Sequence, residues 1–517
     1  MDTLTAPVSR RLNAWVGRVG LLALVWVLAG CSAVPQGAAP AQTQAQAGEQ
    51  VCGNWVQRLD SLVDRAGVRD GGAARVEGFP HARVSRLLVS WVPQARASEP
   101  GWLAWSQAAA ALDREARTWE LMNLPDVALR DLGSDDRATV SQRLEDCALQ
   151  AWAALAQAPA QRQALLARAQ VPDDYATWRR TLGLYPLTRW PFYGGVLEWQ
   201  DRWAAQLRQS PPPPEDPRPG IRWRPEGAAL EPAAVTALVQ AIQQDALGIP
   251  RPTQAQAEQL LRAYAPVIEV EQGGPFDRLG RLHWGDALVP LVDAAQPTVY
   301  ARVAHTRWGD RTLLQLVYSA WFSERPAEGP LDLLAGALDG VVMRLTLSPE
   351  GQPWLVDSIH ACGCYHLFVP TEALQPRPPP RPGEEWAFAP IRLPALAPGE
   401  RLLWRLSSGD HMVQGVDLVA AVPQRQAVAE DVYTLADEDG LRSLPWPGGG
   451  RRSLFAPDGI VPGTQRGERW LFWPMGIASP GAMRQWGRQP TAFVGRRHFD
   501  DPWLMDERFE RRGSPAP

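Results

Sequence analysis

The run VVMRLTLSPEGQPWLVDSIHACGCYHLFVP, residues 341–370, decides the fold of the second half of this chain. VVMRLTL is β-branched and apolar, SPEGQP is a Pro/Gly turn, and a second extended arm follows, which together spell a hairpin. On that second arm Trp354, Val356, Ser358, His360, Cys362, Cys364 and His366 fall at spacing two. An uninterrupted strand would put all seven on one face and Leu355, Asp357, Ile359, Ala361, Tyr365 and Leu367 on the other.

His360, Cys362, Cys364 and His366 are soft nitrogen and sulfur donors, the set that suits zinc or copper(I). A strand rises about 3.3 Å per residue, so six steps span roughly 20 Å, too far for one ion to collect all four ligands. Gly363, at the middle, can mark a bend that gathers them. Otherwise two neighbours bind, and His305 or His411 completes the shell. A thiol hydrolase using Cys362 or Cys364 is a second chemistry, and it requires a depressed thiol pKa. A third reading makes the row the buried face of a structural hairpin, with small thiols and satisfied histidines.

Outward from the hairpin, Thr298–His305 and Thr312–Phe322 flank Gly309 as another β-hairpin, and Val267–Val270 is a short strand. Residues 402–406 and 412–416 read as strands, 328–338 as a short helix, and 231–247 and 253–265 as helices. The result is an α+β fold: a helical N-terminal region, then a mixed domain built on an antiparallel sheet of at least four strands. By composition the chain divides into a signal segment 1–30, a tether 31–51 and a helical region 52–208. A Pro-rich linker 209–230 and an α+β region 231–517 complete it. His81, in the loop-like Gly-Phe-Pro-His run at 78–81, reads as solvated. His498 and Asp500 share a face as a metal pair or, preferably, as part of a salt-bridged surface strand.

Residues 1–30 combine Arg10, Arg11 and Arg18 with the apolar run GLLALVWVLAG, the pattern of an export signal. Leu28-Ala29-Gly30-Cys31 resembles the lipobox of bacterial lipoproteins. That resemblance implies cleavage before Cys31, acylation of its thiol and anchoring in a membrane. Ser32, in place of the Asp that marks inner-membrane retention, implies the periplasmic face of the outer membrane. Asp357-Ser-Ile-His-Ala-Cys-Gly-Cys-Tyr-His366 and the 493–501 run also resemble uncharacterised proteobacterial lipoproteins, a resemblance that implies no activity. In an oxidising compartment Cys52 and Cys147, both in the helical region, are the natural disulfide pair.

Composition excludes more than it assigns. All 52 basic residues are arginine, so there is no phosphate-loop lysine, Schiff-base lysine or Ser-Lys dyad. A net charge of −4 without a basic block argues against nucleic acid as a partner. The 24 tryptophans are spread along the chain and read as core residues rather than a sugar-stacking platform. Three functions remain: a metal-binding envelope lipoprotein, a non-catalytic scaffold with an envelope-protein or peptidoglycan partner, and a thiol hydrolase.

Overall fold

The computed structural model describes residues 41–134, 136–209, 220–227, 231–421 and 429–513. Cys31, the signal segment and residues 31–40 of the tether lie outside the described residues, as does the Pro-rich run 210–219, whereas 41–51 begin the helix Ala41–Ala66. From Glu49 onward the chain forms one compact unit. Five apolar clusters and the disulfide all lie inside it, so this unit carries its own cores. Among the described residues no helix is long and apolar enough to cross a membrane.

The fold is α+β, and its sheet is larger than the hairpins foretold. Its ten strands are β1 (Gly220–Pro225), β2 (Val267–Glu271), β3 (Thr298–Trp308), β4 (Arg311–Arg325) and β5 (Gly336–Leu347), then β6 (Pro353–His360), β7 (Leu367–Pro370), β8 (Glu400–Leu406), β9 (Val413–Ala420) and β10 (Ala429–Asp437). Their order across the sheet is β7-β6-β5-β4-β3-β10-β1-β2-β8-β9. Neighbours are antiparallel except β3–β10, β10–β1 and β2–β8, so the sheet is mixed rather than antiparallel throughout. The expected hairpins are β3–β4, with Trp308 opposite Arg311, and β5–β6, with Val341 opposite His360.

Both faces of the sheet are covered, which explains why LLQLVYSAWF in β4 reads as a continuous apolar run. Leu316, Tyr318, Ala320 and Phe322 point into a core shared with Val341, Met343, Val356, Trp404 and helix residues such as Trp203 and Leu260. Val317 and Trp321 point the other way, to Val342, Ile359, Met483 and Phe499. The C-terminal third has few regular elements, yet it supplies the second layer.

Two expectations fail here. Residues 328–338 form turns and the start of β5 rather than a helix, because Gly329, Pro330 and Gly336 interrupt it and the chain must enter the strand. His81 is buried at the third position of the strand Phe79–Val84, packed near Asp113 and Arg117, instead of solvated.

The N-terminal helices begin where their caps dictate. Ser98 accepts from the Gly101 amide ahead of the helix Glu99–Asn123, with Pro100 in its first turn. Thr253 and Gln256 form a reciprocal capping box on Gln254–Ala263. Inside this region Arg83, Arg117 and Arg75 converge on the buried Glu120, with Asp113 and Asp60 beside them. The helices join the sheet layer through buried polar contacts, among them Arg442 to Asp70 at 2.8 Å and Arg86 to Asp500 at 2.8 Å.

Cys52 and Cys147 are joined by a disulfide, as expected, across 95 residues. Closing a loop of that length removes chain entropy from the unfolded state worth about 4 kcal/mol. The Cys52→Ser, Cys147→Ser double variant is therefore expected to lose roughly 2–4 kcal/mol in equilibrium urea unfolding. A midpoint equal to that of the wild type would show that the bridge adds nothing.

Candidate functional site

The row at 360–366 does not continue as a strand. β6 ends at His360, the chain turns at 361–363, and β7 starts at Leu367, so the two arms reverse on each other. Gly363 makes the reversal: its φ is +99°, and a Cβ there would fall against the Pro490 carbonyl oxygen. The Gly363 amide donates to the His360 carbonyl at 2.7 Å, and the His360 amide to the Cys364 carbonyl at 3.0 Å.

This turn parts the two histidines instead of gathering them. His360 keeps the face of Val356 and Val341, where its Nδ1 lies 3.6 Å from Asp339. His366 lies on the opposite face, its Nε2 2.9 Å from Asp357 Oδ2, stacked 4.0 Å from Phe368. Asp357 in turn pairs with the buried Arg344, whose guanidinium lies over the Phe499 ring. Burial pushes His366 down to about 3, even though its hydrogen bond to Asp357 pulls the other way. Across the described residues, no three His, Cys, Asp or Glu side chains are placed to hold a metal ion. The two imidazoles thus sit on opposite sides of the sheet, and the four side chains of the row do not converge on one point.

The proposed extra ligands are also engaged elsewhere. His305 lies 2.9 Å from the Pro250 carbonyl, in a separate cavity with Arg302 and Trp486. His411 is fully buried, stacked 3.8 Å from Phe322, with Nδ1 2.8 Å from Asp339 and Nε2 3.5 Å from Asp277. Burial alone would lower its pKa, but the two carboxylates outweigh that and raise it. Asp339 goes the other way. Burial favours its neutral form, yet His360, His411 and Arg466 together hold it well below the usual carboxylate range. His498 and Asp500 belong to one ion-pair network, His498 facing Asp173 and Asp174 while Arg86 links Asp174 to Asp500, and the segment is a turn rather than the expected surface strand.

What the turn does build is the wall of a cleft of about 570 Å³. The helix Tyr185–Arg208 gives one side through Phe192 and Trp199, and Phe472 and Phe493 give another. Cys362, Cys364 and Tyr365 line it from the turn, and Arg325 and Glu468 bring charge. Of the six described non-glycine residues with positive φ, Tyr365 lines this cleft and Leu338, His411 and Ser479 adjoin residues that line it or anchor it. Backbone strain of this kind gathers at functional sites. Both thiols are free, and the Cys364 amide donates to Cys362 Sγ at 3.4 Å. The neighbouring Cys362 thiol and burial together push the Cys364 thiol well above its ordinary pKa, and no Cys–His hydrogen bond is present among the described residues.

Sequence reasoning missed Glu468, Arg325 and the aromatic walls. These come from four distant segments with no shared motif, and only folding brings them together. Compared with protein-family models, with curated proteins and with solved structures, the chain matches none.

Glu468 is the most perturbed acid of the cleft. Burial raises it from the ordinary value of 4.5 to about 7 against the pull of Arg466 and Arg325. Between those two values the native state holds more protons than the unfolded one, so stability falls as pH rises through that window. Glu468→Gln removes the ionisation. At pH 8 it is expected to gain on the order of 1–3 kcal/mol over the wild type, and at pH 4 almost nothing, in urea unfolding across pH. An equal offset at both pH values would show that Glu468 ionises freely.

Proposed function

We propose that the protein is a lipoprotein held on the periplasmic face of the outer membrane through Cys31, and that its folded body binds a small amphipathic molecule. The single observation that carries the binding reading is the cleft beneath the 361–366 turn. Its lining is mostly apolar and aromatic, and a few polar groups, Arg325, Tyr365 and Glu468, reach it at defined positions. Ligand sites are concave and apolar with a few placed polar groups of this type. An apolar portion of the ligand would lie against Phe192, Trp199 and Phe472, while a polar head would meet Arg325 and Glu468.

Two chemistries weighed from the sequence find no such support. A hydrolase needs a thiolate with a base beside it; Cys364 is driven toward the protonated thiol by Cys362 and burial, and no histidine is hydrogen-bonded to either cysteine among the described residues. A soft metal needs convergent donors, and among the described residues the turn keeps the two thiols together but sends His360 and His366 to opposite faces, so no three donors meet.

Gly195 lines the cleft, and a Cβ added there meets no atom within 4 Å. Gly195→Phe therefore meets no clash at its Cβ and places a ring at the edge of the cleft, while replacing glycine changes helix propensity by only about 0.3–0.5 kcal/mol. Titration with an apolar naphthylamine dye is expected to show micromolar binding to the wild type and at least about tenfold weaker binding to Gly195→Phe. Equal dye binding by both proteins, with unchanged thermal midpoints, would remove the cleft reading.

The anchor is tested apart from the cleft. Cys31→Ser is expected to leave an unprocessed chain without acyl mass, as read by mass spectrometry of the membrane fraction. An outer-membrane protein of unchanged mass would overturn the lipobox reading.

A further inference from the structure

A second surface stands apart from any use of the cleft. Trp178 is 60 % exposed, Leu182 68 %, Leu187 69 %, Trp190 56 %, Trp470 72 % and Leu471 55 %. Single exposed apolar residues are ordinary, but several large ones gathered on neighbouring helices mark an interaction site. Contiguity is built in. Phe192 and Phe472 meet edge to face at 5.5 Å, and Arg180 Nε donates to the Met475 carbonyl at 2.8 Å. The helices Thr177–Leu182, Tyr185–Arg208 and Arg469–Phe472 are thereby neighbours.

Arginine predominates on the first two helices of the patch, with Glu384 following the glycine that packs on the Trp190 ring. Between 176 and 197 the chain has Arg179, Arg180 and Arg189 and no acidic residue. Each exposed tryptophan carries its own arginine: Arg179 over Trp178 at 5.1 Å, Arg189 over Trp190 at 5.1 Å, and Arg469 over Trp470 at 4.9 Å. Indole rings beside guanidinium groups, with leucines between them, are the side chains that settle at the headgroup level of a bilayer. A second copy of the chain is a poor occupant, because a two-fold interface would bring these arginines against their own counterparts.

We propose that this face docks onto an anionic phospholipid surface, the Trp and Leu side chains entering the interface and the arginines meeting phosphates. The docked face also surrounds one side of the cleft: Pro191, Phe192, Leu471 and Phe472 line the cleft immediately beside Trp190 and Trp470 in the chain. Docking would set that side of the cleft against the headgroups, whether or not a ligand fills it.

The test uses the chain from Glu49, which contains every described core and lacks Cys31, so that no acyl chain contributes to binding. This protein is expected to float with phosphatidylcholine vesicles containing about 30 mol % phosphatidylglycerol, and severalfold less in high salt. Trp178→Ala, Trp190→Ala and Trp470→Ala combined should weaken that binding at least about tenfold, since the three rings supply most of the inserted area. The same variant should keep the wild-type circular dichroism and its affinity for the naphthylamine dye, while Gly195→Phe should float as the wild type does. Failure of the wild type to float would overturn the docking face, as would undiminished flotation of the triple variant. Equal binding to uncharged vesicles would overturn the anionic surface as the occupant. A wild-type dimer in sedimentation, dissociated by the triple substitution and indifferent to vesicles, would assign the patch to self-association instead.

Discussion

The Asp339 carboxylate is the constraint on which the site region depends. It is 1 % exposed, at the start of a strand buried on both faces, and its charge survives there only because three partners surround it. His411 meets it from the 407–412 turn, His360 from the end of β6, and Arg466 from the loop that precedes Glu468. Each partner belongs to a different segment, so satisfying one charge fixes three loops relative to β5. Asp277 repeats the device on the far side of His411, its carboxylate also accepting from the amides of Gly273, Gly274 and Gly409. Removing one member of such a buried network leaves the others charged and unpaired, which costs far more than a surface pair is worth.

Arg466 shows how this charge network shapes the cleft as well as the fold. Its guanidinium donates to the Leu338 carbonyl at 2.7 Å and to the Gly481 carbonyl at 3.1 Å. Those contacts hold the segments carrying Leu338, Glu468 and Pro480 together. Glu468 is left beside its neighbour's charge yet without a hydrogen-bonded ion pair of its own, so burial dominates and its carboxyl rises. The same neighbourhood thus keeps one acid strongly ionised and another near neutrality. Which outcome prevails depends on whether donors touch the oxygens, not on how deeply the acid is buried.

The hairpins were legible in the sequence because their signal is local. β-branched runs on either side of Gly309 and of SPEGQP fix both the strands and the turns. Helix starts at Ser98 and Thr253 were legible for the same reason, and the Cys52–Cys147 pair because few cysteines remain to choose from. The parallel pairing of β10 between β3 and β1 was not, since register between residues as far apart as Thr434 and Thr298, or Ala429 and Ile221, leaves no mark on spacing. Nor was the parting of His360 and His366. Period-two reasoning holds only while the backbone stays extended, and the left-handed conformations at Gly363 and Tyr365 end it. The glycine was visible as a bend, but the direction of the bend depends on the Pro490 carbonyl packed against it.

Tryptophan carries two meanings in this chain, and composition alone cannot separate them. Trp105, Trp223, Trp321 and Trp404 are almost wholly buried, each ring filling space inside one of the apolar cores. Trp178, Trp190 and Trp470 are not, although their local sequences are no less apolar. The difference lies in what stands next to them. The helix Tyr185–Arg208 opens with Pro186 and contains Pro191, Gly194 and Gly195, so the first half of it is a poor helix by propensity. Its second half is secured by Trp203, whose indole donates to the Val413 carbonyl at 2.7 Å, and by Leu207 in the core. A segment with weak intrinsic preference needs outside contacts, and its first half has them on the inner side: Tyr185 Oη accepts from the Gly495 amide at 2.8 Å, Arg189 donates to the Gly383 carbonyl, and Phe192 meets Phe472 edge to face. Gly195 lines the cleft on the same segment, where side-chain bulk would narrow it. The helix is therefore built to leave space on one side and apolar surface on the other, a combination that packing alone does not require.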